Sequence, residues 1–264
     1  YLIEGLSEGT GYNIAPFDDL NHREGVSTLD LVMIQKHLLG KAKLNSPYKI
    51  IAADANKSGH LTALDLLEIR KLILGINTRF PNNTSWRFVD RDYSFADPYN
   101  PFEQPFPESI WVDSVSGGID TANFVAIKIG DVNGNVNTNV ANPAVEARSN
   151  NNVVMVVADQ SVAAGEVVEI PVTSSNFSDV AGYQFTMNLN GASFVGVNAG
   201  TLDVNAGNMG VIANDVVTMS YSSNEAVSAN ENDVLFTLVV KADKAVNVSE
   251  MISLNSSVTS AESY

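Results

Sequence analysis

The spacing of apolar residues divides the chain into a helical part and a strand-rich part. Two early segments repeat apolar residues three or four positions apart, which is the spacing of one buried helix face. These residues are Leu31, Ile34 and Leu38 in one segment and Leu66, Ile69 and Ile73 in the other. Gly40 and Gly75 follow where a helix C-terminal cap is expected. The pattern predicts two short helices packed against each other.

From about residue 150 the chain consists of short stretches rich in Val, Thr and Asn, at the spacing of an all-β sandwich. The predicted strands lie within 152–159, 166–175, 181–190, 192–199, 215–223 and 233–242. Residues 182–189 alternate between apolar and polar side chains, which places the two kinds on opposite faces of a strand. The predicted inner residues are Tyr183, Phe185, Met187 and Leu189, and the predicted outer ones are Gln184, Thr186 and Asn188.

The two helical segments belong to an internal repeat. Residues 19–40 align with 54–75 at an offset of 35, and nine of the 22 aligned positions are identical. A duplicated unit, made of a loop followed by a helix, accounts for this similarity.

The loop of the second copy, residues 54–65, has the spacing of a calcium loop. A calcium ion prefers six to eight oxygen ligands at about 2.3–2.6 Å, and alternate side chains of a tight loop can supply them. The predicted ligands are the side chains of Asp54, Asn56, Ser58 and Asp65 and the backbone carbonyl of His60. Gly59 permits the sharp bend. The alternative is an Asx turn with Asp65 in an ordinary first helical turn.

The loop of the first copy is degenerate. Its candidate ligands are Asp19, Asn21, Ser27 and Asp30, but Arg23 stands at loop position 5 and cannot coordinate calcium. A later stretch repeats the front half of a calcium loop with no helix behind it, through Asp131, Asn133 and Asn135. We therefore hypothesise a split site in which this stretch joins Ser27 and Asp30. A plain Asn/Gly turn at 131–135 is the alternative.

The tandem motif, best seen in "DANKSGHLTALDLLEIRKLILG", resembles the dockerin domain, a duplicated calcium loop-helix module that binds cohesins. Segments such as "SPYKIIAADANKSG" further resemble dockerin-like parts of large secreted surface proteins in the Bacteroidetes. The strand order from "AAGEVVEIPV" to "NDVLFTLVVKA" resembles a cohesin, the jelly-roll partner of dockerins. The resemblance implies a multidomain fold: a small α-helical calcium-binding domain with an irregular insert, then an all-β jelly-roll sandwich.

The same resemblance implies domain limits and an interface. Residues 1–17 would end a preceding β domain, 18–140 would be dockerin-like with an insert at 77–127, 141–151 would be a linker, and 152–264 would be a cohesin-like sandwich that still needs its closing strand. Residues at loop positions 10 and 11 match the place where dockerins contact cohesins. They are Thr28, Leu29, Ala63 and Leu64. Docking is expected either within one molecule or head to tail between molecules.

Composition narrows the function. The formal net charge of −15 argues against nucleic acid, and no apolar run is long enough for membrane insertion. The absence of cysteine excludes thiol chemistry, and no nucleophile, phosphate-loop or zinc motif is present, so the chain is predicted not to be an enzyme. We expect a secreted or cell-surface, calcium-binding module pair that mediates protein assembly or adhesion.

An aromatic-rich insert leaves alternatives open. Its rings either cap the helical core or bind glycans, the latter as a carbohydrate-binding or enzyme-anchoring appendage. A structural stalk of a large adhesin is a third possibility.

Overall fold

The structure, a computed structural model, describes residues 3–115, 121–137 and 152–264. Its first half contains helices α1 (Thr28–Leu38), α2 (Pro47–Ala53) and α3 (Ala63–Ile73), with strands β1 (Tyr12–Ile14), β2 (Trp86–Asp90), β3 (Ile110–Val112) and β4 (Phe124–Lys128). Helices α1 and α3 begin at equivalent positions of the repeat and pack against each other as predicted. Within the described ranges, every helix is too short or too polar to cross a lipid bilayer.

The two repeat helices start in the same way. Ser27 and Thr62 adopt extended backbone conformations and act as N-caps, and the third helical residue is Asp30 or Asp65. Each aspartate accepts a hydrogen bond from the backbone N–H of its N-cap residue, which satisfies a donor that the helix cannot. Pro47 opens α2, where its missing N–H costs nothing.

The aromatic insert packs on the helical core. Phe80 is 2% exposed, and Tyr93, Phe95, Phe102 and Phe106 pack against the cluster formed by the helices. This favours the capping role over an exposed glycan platform, although Tyr99 and Trp111 remain exposed.

The insert also pairs with the chain's N-terminal region. Strand β2 pairs antiparallel with β4, and β1 pairs antiparallel with β3 of the insert. The strand at 12–14 is thus joined to the insert, whereas the assignment of residues 1–17 to a preceding domain stays a prediction.

The second half is a sandwich of two antiparallel sheets. Its strands are β5 (Met155–Val157), β6 (Ser161–Val162), β7 (Val167–Ser174), β8 (Val180–Leu189), β9 (Ala192–Ala199), β10 (Met209–Ala213), β11 (Val216–Val227), β12 (Phe236–Ala242), β13 (Val246–Asn247), β14 (Ile252–Asn255) and β15 (Glu262–Ser263). A short helix, α4 (Val248–Met251), precedes β14. One sheet has the order β10-β11-β8-β14, with β15 also paired to β8, and the other has the order β5-β7-β12-β9. A small β13-β6 pair lies outside both.

The inner face of β8 is as predicted, but its outer face is not exposed. Tyr183, Phe185, Met187 and Leu189 are buried in the sandwich core. Of the residues predicted to lie on the outer face, Asn188 is exposed, whereas Gln184 and Thr186 are 4% and 0% exposed. The reason is that α1 packs across β8 and β11 and bonds Gln184, while Thr186 bonds the segment at 258–259.

Phe80→Ala is expected to lower the free energy of unfolding of the helical part by about 3–5 kcal/mol, because it empties a fully buried ring site. Tyr99→Ala, a matched control on an exposed ring, should cost less than about 1 kcal/mol. Urea denaturation followed by tryptophan fluorescence measures this part of the chain, since both tryptophans, Trp86 and Trp111, lie in it. Equal effects of the two substitutions would contradict the packing role of the insert.

Candidate functional site

The loop at 54–65 is closed around the carboxylate of Asp54. One oxygen, Oδ1, accepts the backbone N–H of Ser58 at 2.9 Å, and the other, Oδ2, accepts that of Gly59 at 2.9 Å. Asn56 Oδ1 also accepts from Ser58 N at 2.9 Å. Gly59 has a φ of +77°, a left-handed conformation that glycine adopts without steric cost. The predicted loop positions 1, 3 and 5 are therefore brought together.

The back of the same loop is held by Asp65. Its Oδ1 accepts from Asn56 N at 3.2 Å, and its Oδ2 accepts from Thr62 N at 2.8 Å. Asp54 and Asp65 are 1% and 0% exposed. Burial raises the pKa of Asp65, and the nearby negative charge of Asp54 adds to this effect.

The donor set of this loop fits a hard cation. Two buried carboxylates lie near each other, and among the described residues no Lys or Arg forms an ion pair with either. No group of three or more His, Asp or Glu side chains converges in the described ranges. The remaining donors in the loop are amide, hydroxyl and carbonyl oxygens, which are calcium ligands in loops of this kind.

The front half of the first-copy loop does not fold around a carboxylate as the loop at 54–65 does. Asp19 Oδ1 accepts from the backbone N–H of Ser85 at 2.9 Å and lies 2.9 Å from His22 Nε2. Lys128 Nζ donates to the His22 carbonyl at 2.8 Å and to Ser85 Oγ at 2.9 Å. Burial lowers the pKa of Lys128 to about 8. Asp19 is thus engaged with the insert and with β4, and Asn21 is an exposed residue with a φ of +52°.

A tight turn follows β4. Asp131 Oδ1 accepts from the backbone N–H groups of Gly134 at 2.7 Å and Asn135 at 3.3 Å, and its Oδ2 accepts from Val136 N at 2.9 Å. Asn133 Oδ1 accepts from Asn135 N at 2.9 Å. Asp131 is 5% exposed, and burial raises its pKa.

This turn lies against the start of α1. Asp30 Oδ1 accepts from the backbone N–H groups of Val132 at 2.8 Å and Asn133 at 3.1 Å, while its Oδ2 accepts from Ser27 N at 2.9 Å. Asp30 is fully buried, and burial, with the nearby charge of Asp131, raises its pKa to about 7. The structure therefore brings together Ser27, Asp30 and the stretch 131–136.

The N-terminus of α1 meets the polar face of the β8–β11 sheet. The backbone N–H of Thr28 donates to Gln184 Oε1 at 2.7 Å, and the hydroxyls of Thr28 and Ser220 share a hydrogen bond of 2.7 Å. All three side chains are buried. The position of Gly182 allows this approach, since a Cβ there would lie 3.0 Å from Thr28 Cγ2 and 3.3 Å from Val32 Cγ2.

The C-terminal end of α3 contacts the same sheet. The carbonyl of Leu74 accepts from Thr218 Oγ1 at 2.7 Å, and that of Ile73 accepts from Thr259 Oγ1 at 2.7 Å. Arg70 donates to Ser222 Oγ at 2.8 Å. The bonds from Thr218 and Thr259 satisfy carbonyl groups that the end of the helix leaves without partners.

Basic side chains add contacts at the edges. Arg23, the residue that interrupts the first loop, donates to the backbone carbonyl of Val258. Lys41 donates to Asn224 Oδ1 at 2.8 Å and forms an ion pair with Glu225 at 2.5 Å. Cations of the helical part thus meet the strongly acidic second half.

The four predicted interface residues are not equivalent. Thr28 is buried in the contact, and Leu29 beside it is half-buried. Ala63 and Leu64 occupy the same positions of the second copy, yet both are exposed, Leu64 by 61%. The sheet therefore uses the start of α1 and the end of α3, and leaves the start of α3 free of it.

Sequence reasoning missed several interface residues on the β side. They are Gly182, Gln184, Thr218, Ser220, Ser222 and Thr259. The alternation of small polar residues along β11 could have indicated this interface, but the same pattern is typical of a strand that faces solvent.

Comparison with known protein families agrees with the division of the chain into a helical part and a β sandwich. Residues 18–74 match the model of the dockerin type I domain, and residues 153–263 match that of the cohesin domain. A search of curated proteins found no significant match.

Solved structures similar to the chain include two cohesin–dockerin complexes and a cohesin. They include a type I cohesin–dockerin complex of Clostridium thermocellum (16% identity, 42% of this chain and 92% of the other, TM-score 0.31). Others are the sixth cohesin of Acetivibrio cellulolyticus scaffoldin B in complex with a dockerin (18%, 41% and 91%, 0.28) and a non-cellulosomal cohesin of Archaeoglobus fulgidus (15%, 41% and 83%, 0.26). At these identities and TM-scores they add nothing to the domain matches.

The fold and the domain matches define a class of protein that mediates protein–protein assembly. Within that class, this chain carries a dockerin type I domain followed by a cohesin domain. Both are non-catalytic docking domains.

Thr28→Val is expected to lower the free energy of unfolding by about 1–3 kcal/mol, because it keeps the β-branched shape but leaves the buried Ser220 hydroxyl without this partner. Adding Ser220→Ala should recover part of that loss, with a coupling energy of about 1 kcal/mol. Urea denaturation of the four chains in this double-mutant cycle measures the coupling. Strictly additive effects would mean that the two hydroxyls do not interact.

Proposed function

We propose that the chain is a self-docked pair, in which the dockerin domain occupies the cohesin domain of the same molecule and calcium in the loop 54–65 holds the dockerin domain in its folded form. The pair acts as a rigid, non-catalytic connector in a secreted or cell-surface protein. The observation that carries the proposal is the buried contact of Thr28 with Gln184 and Ser220.

The polar nature of the contact supports specific docking. Thr186, Thr218 and Ser220 are each 0% exposed, and each makes a hydrogen bond. Buried polar groups without partners are costly, so a sheet face of this composition needs either water or a partner with matching donors and acceptors. The start of α1 supplies the partner of Ser220 and the end of α3 that of Thr218, while Thr186 bonds the backbone of Thr259 in its own domain.

Chain connectivity favours docking within one molecule. Residues 138–151, a stretch of 14, separate the described parts of the two domains. A short linker gives the tethered partner an effective concentration on the order of 1 mM, provided that the linker spans the two sites. A separate copy at micromolar concentration competes poorly against it.

The loop chemistry suits an extracellular location. Loop 54–65 has one carboxylate at each end and otherwise neutral oxygen donors. Extracellular calcium modules with few charges bind with dissociation constants of roughly 10⁻⁴–10⁻³ M, which matches calcium levels outside cells.

Chelation of calcium with EDTA is expected to lower the melting temperature of the dockerin domain, because two buried carboxylates then face each other without a cation. At calcium concentrations about 100 times the dissociation constant, the lost stability is about 2.7 kcal/mol. Asp65→Asn should reduce the calcium-induced shift, whereas Asp92→Asn, an exposed control, should not. Circular dichroism melts with and without EDTA give the comparison, and unchanged melts would refute a role for calcium in folding.

Self-docking is expected to protect one amide in particular. Thr28 is the first residue of α1, so its N–H has no partner inside the helix and depends on Gln184. Hydrogen exchange measured by NMR should be slow at Thr28 and fast at Ala63, the equivalent residue of α3. Gly182→Val and Gln184→Met should both remove the protection of Thr28.

Matched controls make this test specific. Gly196→Val places the same side chain on β9, where a Cβ meets nothing within 4 Å, and should leave Thr28 protected. Light scattering should give the mass of one chain, 28.2 kDa, over a range of concentrations. A mass that rises with concentration, with protection of Thr28 that rises alongside it, would show docking between molecules instead.

A further inference from the structure

We propose that the chain binds a second calcium ion in a split loop, whose front half is residues 131–137 and whose back half is Ser27–Asp30. The site differs from a continuous loop at 19–30. All its proposed ligands come from the first half of the chain, so ion binding there requires neither self-docking nor an ion in the loop at 54–65.

The front half repeats three hydrogen bonds of the loop at 54–65. Asp131 takes the place of Asp54: its Oδ1 accepts from the residue four positions on, and its Oδ2 from the residue five positions on. Asn133 takes the place of Asn56, and its Oδ1 accepts the same N–H two residues later, at 2.9 Å in both loops. Asn135 then stands at position 5, and residue 137 at position 7.

The back half repeats the hydrogen bonds that Asp65 accepts in the loop at 54–65. Asp30 accepts from Asn133 N at 3.1 Å, as Asp65 accepts from Asn56 N at 3.2 Å. Asp30 also accepts from the backbone N–H and the hydroxyl of Ser27, with distances of 2.9 and 3.2 Å. The corresponding distances in the complete loop are 2.8 and 3.2 Å. The two half-loops therefore have the geometry of one loop, although about 100 residues separate them in sequence.

An oxygen without a partner points to a ligand at this site. Asn135 Oδ1 is enclosed by protein, and among the described residues no group donates a hydrogen bond to it. A buried amide oxygen without a donor is costly, and position 5 of a calcium loop is where a side-chain oxygen binds the ion. A cation at this place would satisfy Asn135 and lie between the carboxylates of Asp30 and Asp131.

The front half of the first-copy loop does not compete with residues 131–137 for the calcium ion. Asp19 is held by Ser85 and His22, and Arg23 extends to the carbonyl of Val258 in the cohesin domain. Asp19 and Arg23 thus have other partners, and the stretch after β4 supplies oxygens in place of the front half of the first loop.

The site also adjoins the docking contact. Ser27 is the N-cap of α1, and Thr28, the next residue, bonds the cohesin sheet. A calcium ion in the split loop would fix the end of the helix that docks.

Isothermal titration calorimetry of the full chain with Ca²⁺ tests the proposal, and Mg²⁺ serves as the control ion. The wild type is expected to bind two ions. Asn135→Ala removes the carboxamide that carries this oxygen and keeps the backbone bonds of the turn, so the protein should fold normally but bind one of the two ions at least tenfold more weakly. Asp131→Asn should abolish that binding event, and Asp19→Asn should leave both events in place.

The outcomes separate this site from the loop at 54–65. In Asp65→Asn, one ion should still bind, and adding Asp131→Asn should remove it. Two ions bound unchanged in Asn135→Ala and in Asp131→Asn, or loss of an ion in Asp19→Asn with retention in Asp131→Asn, would overturn the split site. A single ion that is lost in Asp65→Asn and retained in Asp131→Asn would also overturn it, and would leave the calcium role of the complete loop intact.

Discussion

The arrangement of this molecule depends on the burial of a polar sheet face. Strands β8 and β11 present a row of small hydroxyl and amide side chains, and α1 and α3 cover them. Because each buried donor or acceptor must find a partner, the covering surface has to match the row atom by atom. Apolar contact alone would tolerate sliding of the helices, whereas these hydrogen bonds fix one position and one orientation.

The matching groups come mainly from helix ends. The first N–H of α1 and the last carbonyls of α3 lack partners inside their own helices, and the cohesin domain provides these partners through Gln184, Thr218 and Thr259. The same helix start carries Asp30, which anchors the turn after β4. Loop geometry and domain contact therefore share a few residues, so a disturbance of one is expected to reach the other.

The spacing of residues in the sequence predicts the helices and the strand faces wherever a local pattern determines the structure. The offset of 35 located α1 and α3, the alternation along residues 182–189 located the inner face of β8, and the domain matches agree with the predicted fold. The alternation predicts that Gln184 and Thr186 lie on the outer face, as they do, but the period of a strand does not predict that a polar partner covers them. The repeat likewise predicts equivalent roles for Thr28 and Ala63. A single sheet can contact only one surface of the two helices, and it contacts the one that contains Thr28.

The tie between Asp30 and the backbone of Val132 and Asn133 has a consequence for folding. It closes a chain segment of about 100 residues, whereas the loop at 54–65 closes about 11. The entropic cost of closure rises by about 2 kcal/mol between these lengths. Asp30 can therefore make these bonds only after residues 132 and 133 have been synthesised, and we expect the short loop at 54–65 to close first.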